Sequence, residues 1–438
     1  MRLRVRPIQR LEGALAVPGD KSISHRAALF GALAAGPTEV RGFLEAEDCL
    51  RTIAAVEALG ADVERKGPGH YRISGAGLRG LREPENVVDC GNSGTTARLL
   101  VGVLAGQPFW TVMTGDDSLR RRPMGRVADP LREMGATVVG RAGGTKLPLA
   151  VRGSERVKAL AYTSPMASAQ VKSAVLIAGL YANAPVAVTQ PAQSRDHTER
   201  MLRQFGVQVE VSGLTVTVTP GPLRPASLHV PGDISSAAFF LVAAAIVPGA
   251  RVELENVGVN PTRTGLLEVL EAMGARVERR GEGAEAEGGE PRATLALASA
   301  ALRGADVGGD LIPRLIDEVP ALAVAALVAT GRTVVRDAGE LRVKESDRIA
   351  ALARQLGRMG ARIEERPDGM AIAGGTRLCG ARVESGGDHR MAMALAVAGL
   401  VADGETVIED TACIATSFPG FPEAVNRLAG APAVSVEP

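Results

Sequence analysis

Lysine is scarce in this chain. Of 50 basic residues among 438, only six are lysine (Lys21, Lys66, Lys146, Lys158, Lys172 and Lys344) and 44 are arginine, so each surviving lysine marks a position to follow. Aromatic residues make up 3%, too few for the stacking platforms that hold single-stranded nucleic acid. Neither sign of charge is in excess: the formal net charge is +1, without the basic field of a nucleic-acid or membrane-surface binder. The four cysteines (Cys49, Cys90, Cys379, Cys413) are scattered without a CxxC pair. They signal neither a zinc site nor a disulfide framework and fit reduced thiols in the cytoplasm. No apolar run reaches the roughly 18 residues of a membrane span. The longest runs, 237–247 and 321–329, are expected as buried helices. The opening Met1-Arg2-Leu3-Arg4-Val5-Arg6 alternates like a strand and lacks the apolar core of a signal peptide. What is present is a 46% hydrophobic chain with 52 glycines and 26 prolines, below the low-complexity range. Its length suggests about two or three domains.

A phrase recurs six times: an apolar residue, Gly, a small residue, then an alternating strand. It reads Leu59-Gly60-Ala61, Met134-Gly135-Ala136, Phe205-Gly206-Val207, Met273-Gly274-Ala275, Met359-Gly360-Ala361 and Ala429-Gly430-Ala431, with glycines 68 to 86 residues apart. Glycine takes the left-handed conformation that ends a helix at little steric cost, so each phrase predicts a helix stop followed by a strand. Helical periodicity precedes the phrase at 48–59 and 262–273. Six αβ units of about 70 residues fill the chain.

A coarser repeat divides it in half. Residues 17–27 read VPGDKSISHRA and residues 230–240 read VPGDISSAAFF, 213 residues on. Pro-Gly-Asp is a turn whose Asp can cap the next helix. The expectation is α/β architecture with two similar domains of three αβ units, residues 20–231 and residues 1–19 plus 232–438, joined by a double hinge. The first strand, 3–7, would belong with the second half, and the Gly/Glu-rich 281–290 is the candidate exposed loop. A plain repeat scaffold would carry the same surface on every unit. Here Lys21 corresponds to Ile234 and Arg26 to Phe239, the asymmetry expected of a site placed between two similar domains.

Polar clusters stand mostly at predicted helix starts. Asp20-Lys21-Ser22-Ile23-Ser24-His25-Arg26 adds cations to a helix N-terminus, an anion site, with Arg26 on the face of Ser22. Asp89 to Arg98, with Gly94 between Ser93 and Thr95, is a Gly-rich turn but not a Walker loop. Arg120-Arg121-Arg122 calls for an anion or acidic partners. Ser168-Ala169-Gln170-Val171-Lys172 and Ser194-Arg195-Asp196-His197-Thr198-Glu199 lead into helices, and His197 fits hydrogen bonding better than metal ligation. Asp317-Glu318 opens an apolar helix, where desolvation would raise a carboxyl pKa and suit proton transfer. Lys344-Glu345-Ser346-Asp347-Arg348 and Gly387-Asp388-His389-Arg390 complete the set. Singly, each also reads as a capped helix or a solvated ion-pair surface. Together they point to a group-transfer enzyme for a small polyanion, with proton transfer and no metal.

The phrases GDKSISHRA, GNSGTT, RRRPMG, SAQVKSA, IDE, KESDR, GDHRMAM and TSFPGF, in this order, resemble the 5-enolpyruvylshikimate-3-phosphate synthase family over nearly the whole length. The resemblance implies an inside-out α/β fold of two three-unit domains. It implies transfer of the enolpyruvyl group of phosphoenolpyruvate to the 5-hydroxyl of shikimate 3-phosphate, on the route to chorismate, with no cofactor, no nucleic acid, no membrane and a monomeric chain. Carried over residue by residue, Lys21, Ser22, Arg26, Ser168, Ala169, Ser194, Arg195, Asp317 and Lys344 would hold shikimate 3-phosphate. Lys21, Gly94, Arg122, Gln170, Arg348 and Arg390 would hold phosphoenolpyruvate. Asp317 would take the hydroxyl proton, and either Glu345 or Lys21 would deliver one to the methylene. A tetrahedral intermediate would then expel phosphate, with hinge closure excluding water.

Two departures bear on the site. Thr416 stands where many members carry Lys. The phrases SAQVK, RDHTE and Asn260-Pro261-Thr262-Arg263 resemble the glyphosate-tolerant subclass, yet Gly94 is the small residue that leaves room for that inhibitor. The related UDP-N-acetylglucosamine enolpyruvyl transferases typically have Asn after the first Lys and a Cys in the loop at 113–124. Here Ser22 follows Lys21 and that loop has no Cys.

Overall fold

The computed structural model describes residues 1–283 and 289–438. It contains six four-stranded sheets with one shared pattern. A short strand lies parallel to a central strand, and two antiparallel strands follow. The sheet of Val88–Asp89, Trp110–Thr114, Leu149–Arg152 and Thr137–Gly140 shows it plainly. Parallel neighbours need a crossover, here the buried helix Gly94–Leu104. The amphipathic helix Gly125–Glu133 then leads into the antiparallel hairpin.

The amphipathic helix of each unit stops where the repeated phrase predicts. Gly60, Gly135, Gly206, Gly274, Gly360 and Gly430 all take φ between +65° and +104°, where a Cβ would be strained. Both Pro-Gly-Asp turns cap helices: Asp20 accepts from the Ile23 N–H at 2.9 Å and Asp233 from the Ser235 N–H at 2.8 Å. The first turn also needs its glycine, because a Cβ on Gly19 would stand 1.9 Å from the Gly42 carbonyl oxygen.

The contacts divide the chain into two compact units. The N-terminal unit spans Gly19–Pro231, and Glu290 is grouped with it. The C-terminal unit comprises Met1–Pro18, Gly232–Gly283 and Pro291–Pro438. Each holds three sheets and a core of three central helices. Lys21–Leu33, Gly94–Leu104 and Ala169–Gly179 occupy the N-terminal unit; Ile234–Ile246, Val319–Val328 and His389–Gly399 occupy the other. These helices are apolar on nearly every side, as a helix enclosed by neighbours must be. Every residue of Ile234–Ile246 is buried.

Each unit pairs strands that lie far apart in sequence. Ser227–His229 runs parallel to Ala35–Arg41 in the N-terminal unit, while Glu12–Ala16 runs parallel to Arg251–Gly258 in the C-terminal one. The first strand, Arg2–Val5, lies between Thr406–Glu409 and Val434–Glu437.

Two expectations need correction. The helix foreseen over 262–273 spans Gly265–Ala272. Asn260 accepts from both the amide and the hydroxyl of Thr262, at 2.8 and 2.7 Å, and holds the preceding residues in a turn. The exposed loop foreseen at 281–290 is in part the strand Glu278–Gly283, and Glu290 is buried. Residues 284–288 of that loop lie outside the described residues.

Candidate active site

The candidate residues gather at the N-terminal ends of the central helices. In the N-terminal unit, Lys21 opens its helix and sets its ammonium 2.5 Å from Asp48 Oδ2. Ser22 is the next residue, and its carbonyl accepts from Arg26 Nη1 at 2.8 Å. Arg26 is almost fully buried; its Nε donates to Thr198 Oγ1 at 2.7 Å and its Nη2 to Ser173 Oγ at 2.8 Å. Burial pulls the Arg26 pKa down to about 10, with Glu199 the main group opposing the shift and Arg195 a nearby cation adding to it. The guanidinium stays charged at neutral pH.

His25, enclosed beside Lys21 and Arg26, is held well below the usual histidine range, by burial first and then by those two cations. Its Nδ1 meets Thr52 Oγ1 at 2.6 Å, Thr52 meets Thr96 at 2.7 Å, and Thr96 meets the Ser93 hydroxyl at 2.7 Å. This relay ties the Lys21 helix to the Gly-rich turn, where Ser93 caps the next helix. Gly94 opens that helix against two guanidinium groups. A Cβ there would lie 2.7 Å from Arg98 Nη1 and 2.9 Å from Arg122 Cζ. Arg98 donates to Gln170 Oε1 at 2.8 Å, and Gln170 Nε2 donates to Thr95 Oγ1 at 2.9 Å. Arg122 Nη1 lies 3.4 Å from the Asn92 carbonyl.

Ser168 caps the helix that begins at Ala169, accepting from Val171 N. The Ser194 hydroxyl donates to Gln190 Oε1. Ser173 and Thr198, 2.6 Å apart, link the helix after Ser168 to the one after Arg195. The N-terminal unit thus carries Lys21, Ser22, Arg26, Gly94, Arg122, Ser168, Ala169, Gln170, Ser194 and Arg195 at or near helix starts, with Arg26 tied to Ser173 and Thr198 and Gln170 to Arg98 and Thr95.

The C-terminal unit builds a second cluster. Asp317 Oδ1 stands 3.3 Å from both Lys344 Nζ and Arg348 Nη1, and Oδ2 stands 3.9 Å from Arg390 Nη2. Arg390 Nη1 also donates to the Asp317 carbonyl at 3.1 Å. The sequence pointed to a carboxyl pushed towards its neutral form by desolvation. Three cations also stand around it, and a neighbouring positive charge acts in the opposite sense to desolvation. Glu345 Oε2 accepts from Arg348 Nη2 at 2.7 Å. Arg348 is wholly buried, and burial by itself disfavours its charge. The Asp388, Glu345 and Asp317 carboxylates outweigh that and raise its pKa. Thr416 is buried, with its hydroxyl donating to the Cys413 carbonyl at 2.7 Å and 3.2 Å from His389 Nδ1.

Sequence reasoning missed several members. Asp48 looked like an ordinary acidic residue in a first helical turn, a common placement that carries no signal of a partner. Arg98 closed a recognised phrase without a role. Glu318, beside Asp317, accepts from the Ser235 hydroxyl and lies 3.4 Å from Arg263, so the conspicuous Asn260–Arg263 phrase serves a buried charge. Lys172 is wholly buried against Glu199 at 2.5 Å. His197 is hydrogen bonded, to Glu290 at 2.6 Å. Among the described residues, no group of three or more His, Cys, Asp or Glu is placed to hold a metal ion.

Known proteins resemble this chain throughout. The sequence model of the family EPSP synthase (3-phosphoshikimate 1-carboxyvinyltransferase) matches residues 5–425. The 3-phosphoshikimate 1-carboxyvinyltransferase of Desulforamulus reducens is 53% identical over 429 residues, covering 98% of this chain and 99% of that protein. That of Gloeobacter violaceus is 56% identical over 428 residues, with 97% and 98% covered. A solved structure of EPSP synthase from Acinetobacter baumannii superposes with a TM-score of 0.88 at 44% identity, over the full length of both chains. Motif order, six-sheet architecture and these likenesses agree: the chain belongs to the EPSP synthase (3-phosphoshikimate 1-carboxyvinyltransferase) family.

Proposed function

We propose a division of labour for the reaction of this enzyme, enolpyruvyl transfer from phosphoenolpyruvate to shikimate 3-phosphate in aromatic amino-acid biosynthesis. The observation that carries it is the surrounding of Asp317. Asp317 is a carboxyl set among Lys344, Arg348 and Arg390, and in its ionised form it is placed to accept a proton. Asp317 removes the proton of the 5-hydroxyl as its oxygen bonds to C2 of phosphoenolpyruvate. The π pair of the C2–C3 double bond takes a proton at C3, from Glu345 or Lys21, giving a tetrahedral intermediate. Loss of a proton from that methyl reforms the double bond, and the C2–phosphate bond breaks.

Cations supply the binding. Lys21, Ser22, Arg26, Ser168, Ala169, Ser194, Arg195 and Lys344 hold shikimate 3-phosphate. Lys21, Gly94, Arg122, Gln170, Arg348 and Arg390 hold phosphoenolpyruvate. Charges fixed by hydrogen bonds before substrate arrives need no rearrangement as charge develops. Thr416 leaves one cation fewer than many relatives carry, and Arg98, which reaches Gln170, is an added candidate. We take the chain to act as a monomer in the cytoplasm, which light scattering and fractionation test.

The direct experiment is phosphate release with both substrates present. Asp317→Ala and Lys21→Met should each lower kcat at least about 100-fold, the scale of losing a general base or a charge-stabilising group. Turnover undiminished in Asp317→Ala would remove it as the base.

A further inference from the structure

Lys172 and Glu199 form an ion pair that touches no expected ligand. Lys172 lies on the helix Ala169–Gly179 and Glu199 on the helix His197–Gln204, 0% and 2% exposed at their side chains, with Nζ and Oε1 2.5 Å apart. Removing two charges from water is recovered only through good geometry and further hydrogen bonds. Here the neighbours are specific. Lys172 Nζ lies 3.5 Å from the Ser194 carbonyl. The adjacent hydroxyls, Ser173 and Thr198, pair at 2.6 Å, and both accept from Arg26. Two successive residues on one helix therefore meet two on the other, and Arg26 spans the hydroxyl rung. Glu199 is also the leading charge that offsets the burial of Arg26.

We propose that the Lys172–Glu199 pair is a positioning device of the phosphate end of the shikimate 3-phosphate site: it fixes the Ser194–Arg195 segment ahead of the helix at His197 and aims the Arg26 guanidinium. The compact ammonium fits between a carboxylate and a backbone carbonyl, where the planar fork of arginine has the wrong shape. That accounts for a lysine at this place in a chain that otherwise favours arginine. The inference rests on the reading that Arg26, Ser194 and Arg195 hold the phosphorylated substrate.

A single substitution strands a buried charge and can prevent folding, so the decisive variant is Lys172→Met with Glu199→Leu, which removes both charges and keeps the volume. Calorimetric Kd for shikimate 3-phosphate, KM for phosphoenolpyruvate and near-UV circular dichroism are measured on the full chain. The expected result is a native spectrum, a phosphoenolpyruvate KM within about twofold of wild type and a shikimate 3-phosphate Kd raised about tenfold or more, the scale of mis-aimed charged hydrogen bonds. A shikimate 3-phosphate Kd within about twofold of wild type, or equal losses for both substrates, overturns the proposal. Arg26→Met separates the two readings. If it leaves that Kd unchanged, the site assignment itself fails; if it weakens binding while the double variant does not, only the positioning role fails.

Discussion

Arg348 and Asp388 grip one another through two hydrogen bonds, Nε to Oδ2 at 2.8 Å and Nη2 to Oδ1 at 3.2 Å, with both side chains wholly buried. A planar fork on a carboxylate fixes orientation as well as charge. Asp388 also caps the helix that carries Arg390, accepting from its N–H at 2.9 Å. One carboxylate thus sets two of the cations that face Asp317.

Asp388→Asn should therefore cost both stability and activity. The buried guanidinium loses a counter-charge, which typically destabilises by about 3–5 kcal/mol. Burial would push the Asp388 pKa up, but Arg348 outweighs it and holds the value below 3.8. That stability is present above pH 3.8 and is lost as pH falls through the lower folded value. Urea midpoints of the variant and the wild type check this; equal midpoints at neutral pH would rule it out.

Gly94→Ala should alter the site without unfolding the chain. The atoms nearest the added Cβ are the guanidinium ends of Arg98 and Arg122, far ends of flexible side chains that would have to shift. Moving them displaces two cations, so KM for phosphoenolpyruvate should rise about tenfold while the thermal midpoint stays near wild type. Glyphosate inhibition should weaken in parallel. Equal inhibition constants in the two proteins would remove Gly94 as the determinant.

Proton delivery can be assigned by exchange. Glu345→Gln should abolish solvent-proton exchange into the phosphoenolpyruvate methylene if Glu345 is the donor, with kcat down about 100-fold. Lys21→Arg retains a cation but removes the compact ammonium, and should retain exchange in that case. The reverse pattern transfers the role to Lys21.

His25 makes the fold acid-sensitive. Its folded pKa lies well below the ordinary histidine value of 6.5, with burial the largest cause and Lys21 and Arg26 adding to it. The unfolded chain then binds more protons below that value, so stability is full above pH 6.5 and falls as pH drops. In His25→Gln this part of the slope should vanish. Denaturant midpoints between about pH 5 and 8 report it, and parallel slopes would exclude His25 as the source.

The repeat was the most legible part of the sequence. Helix-ending glycines and the apolar runs of the central helices report local backbone and burial, which periodicity encodes directly. The cations at helix starts were legible too, because N-terminal potential and charge coincide there. Partners distant in sequence were not. Nothing near Lys21 announces Asp48, and nothing near Lys172 announces Glu199, since an ion pair across two helices leaves no spacing to read. The surroundings of Asp317 were hidden for the same reason: Lys344, Arg348 and Arg390 reach it from other segments.

The strand Arg2–Val5, held between Thr406–Glu409 and Val434–Glu437, bears on how the protein is made. On the ribosome it emerges long before its two neighbours. Glu12–Ala16 likewise waits for Arg251–Gly258. The N-terminal unit can close once Ser227–His229 has appeared, while the other must keep Arg2–Val5 unpaired until Val434–Glu437 has appeared. Domains generally fold as units during translation, so the N-terminal unit can be complete while the C-terminal one still waits for its last strand.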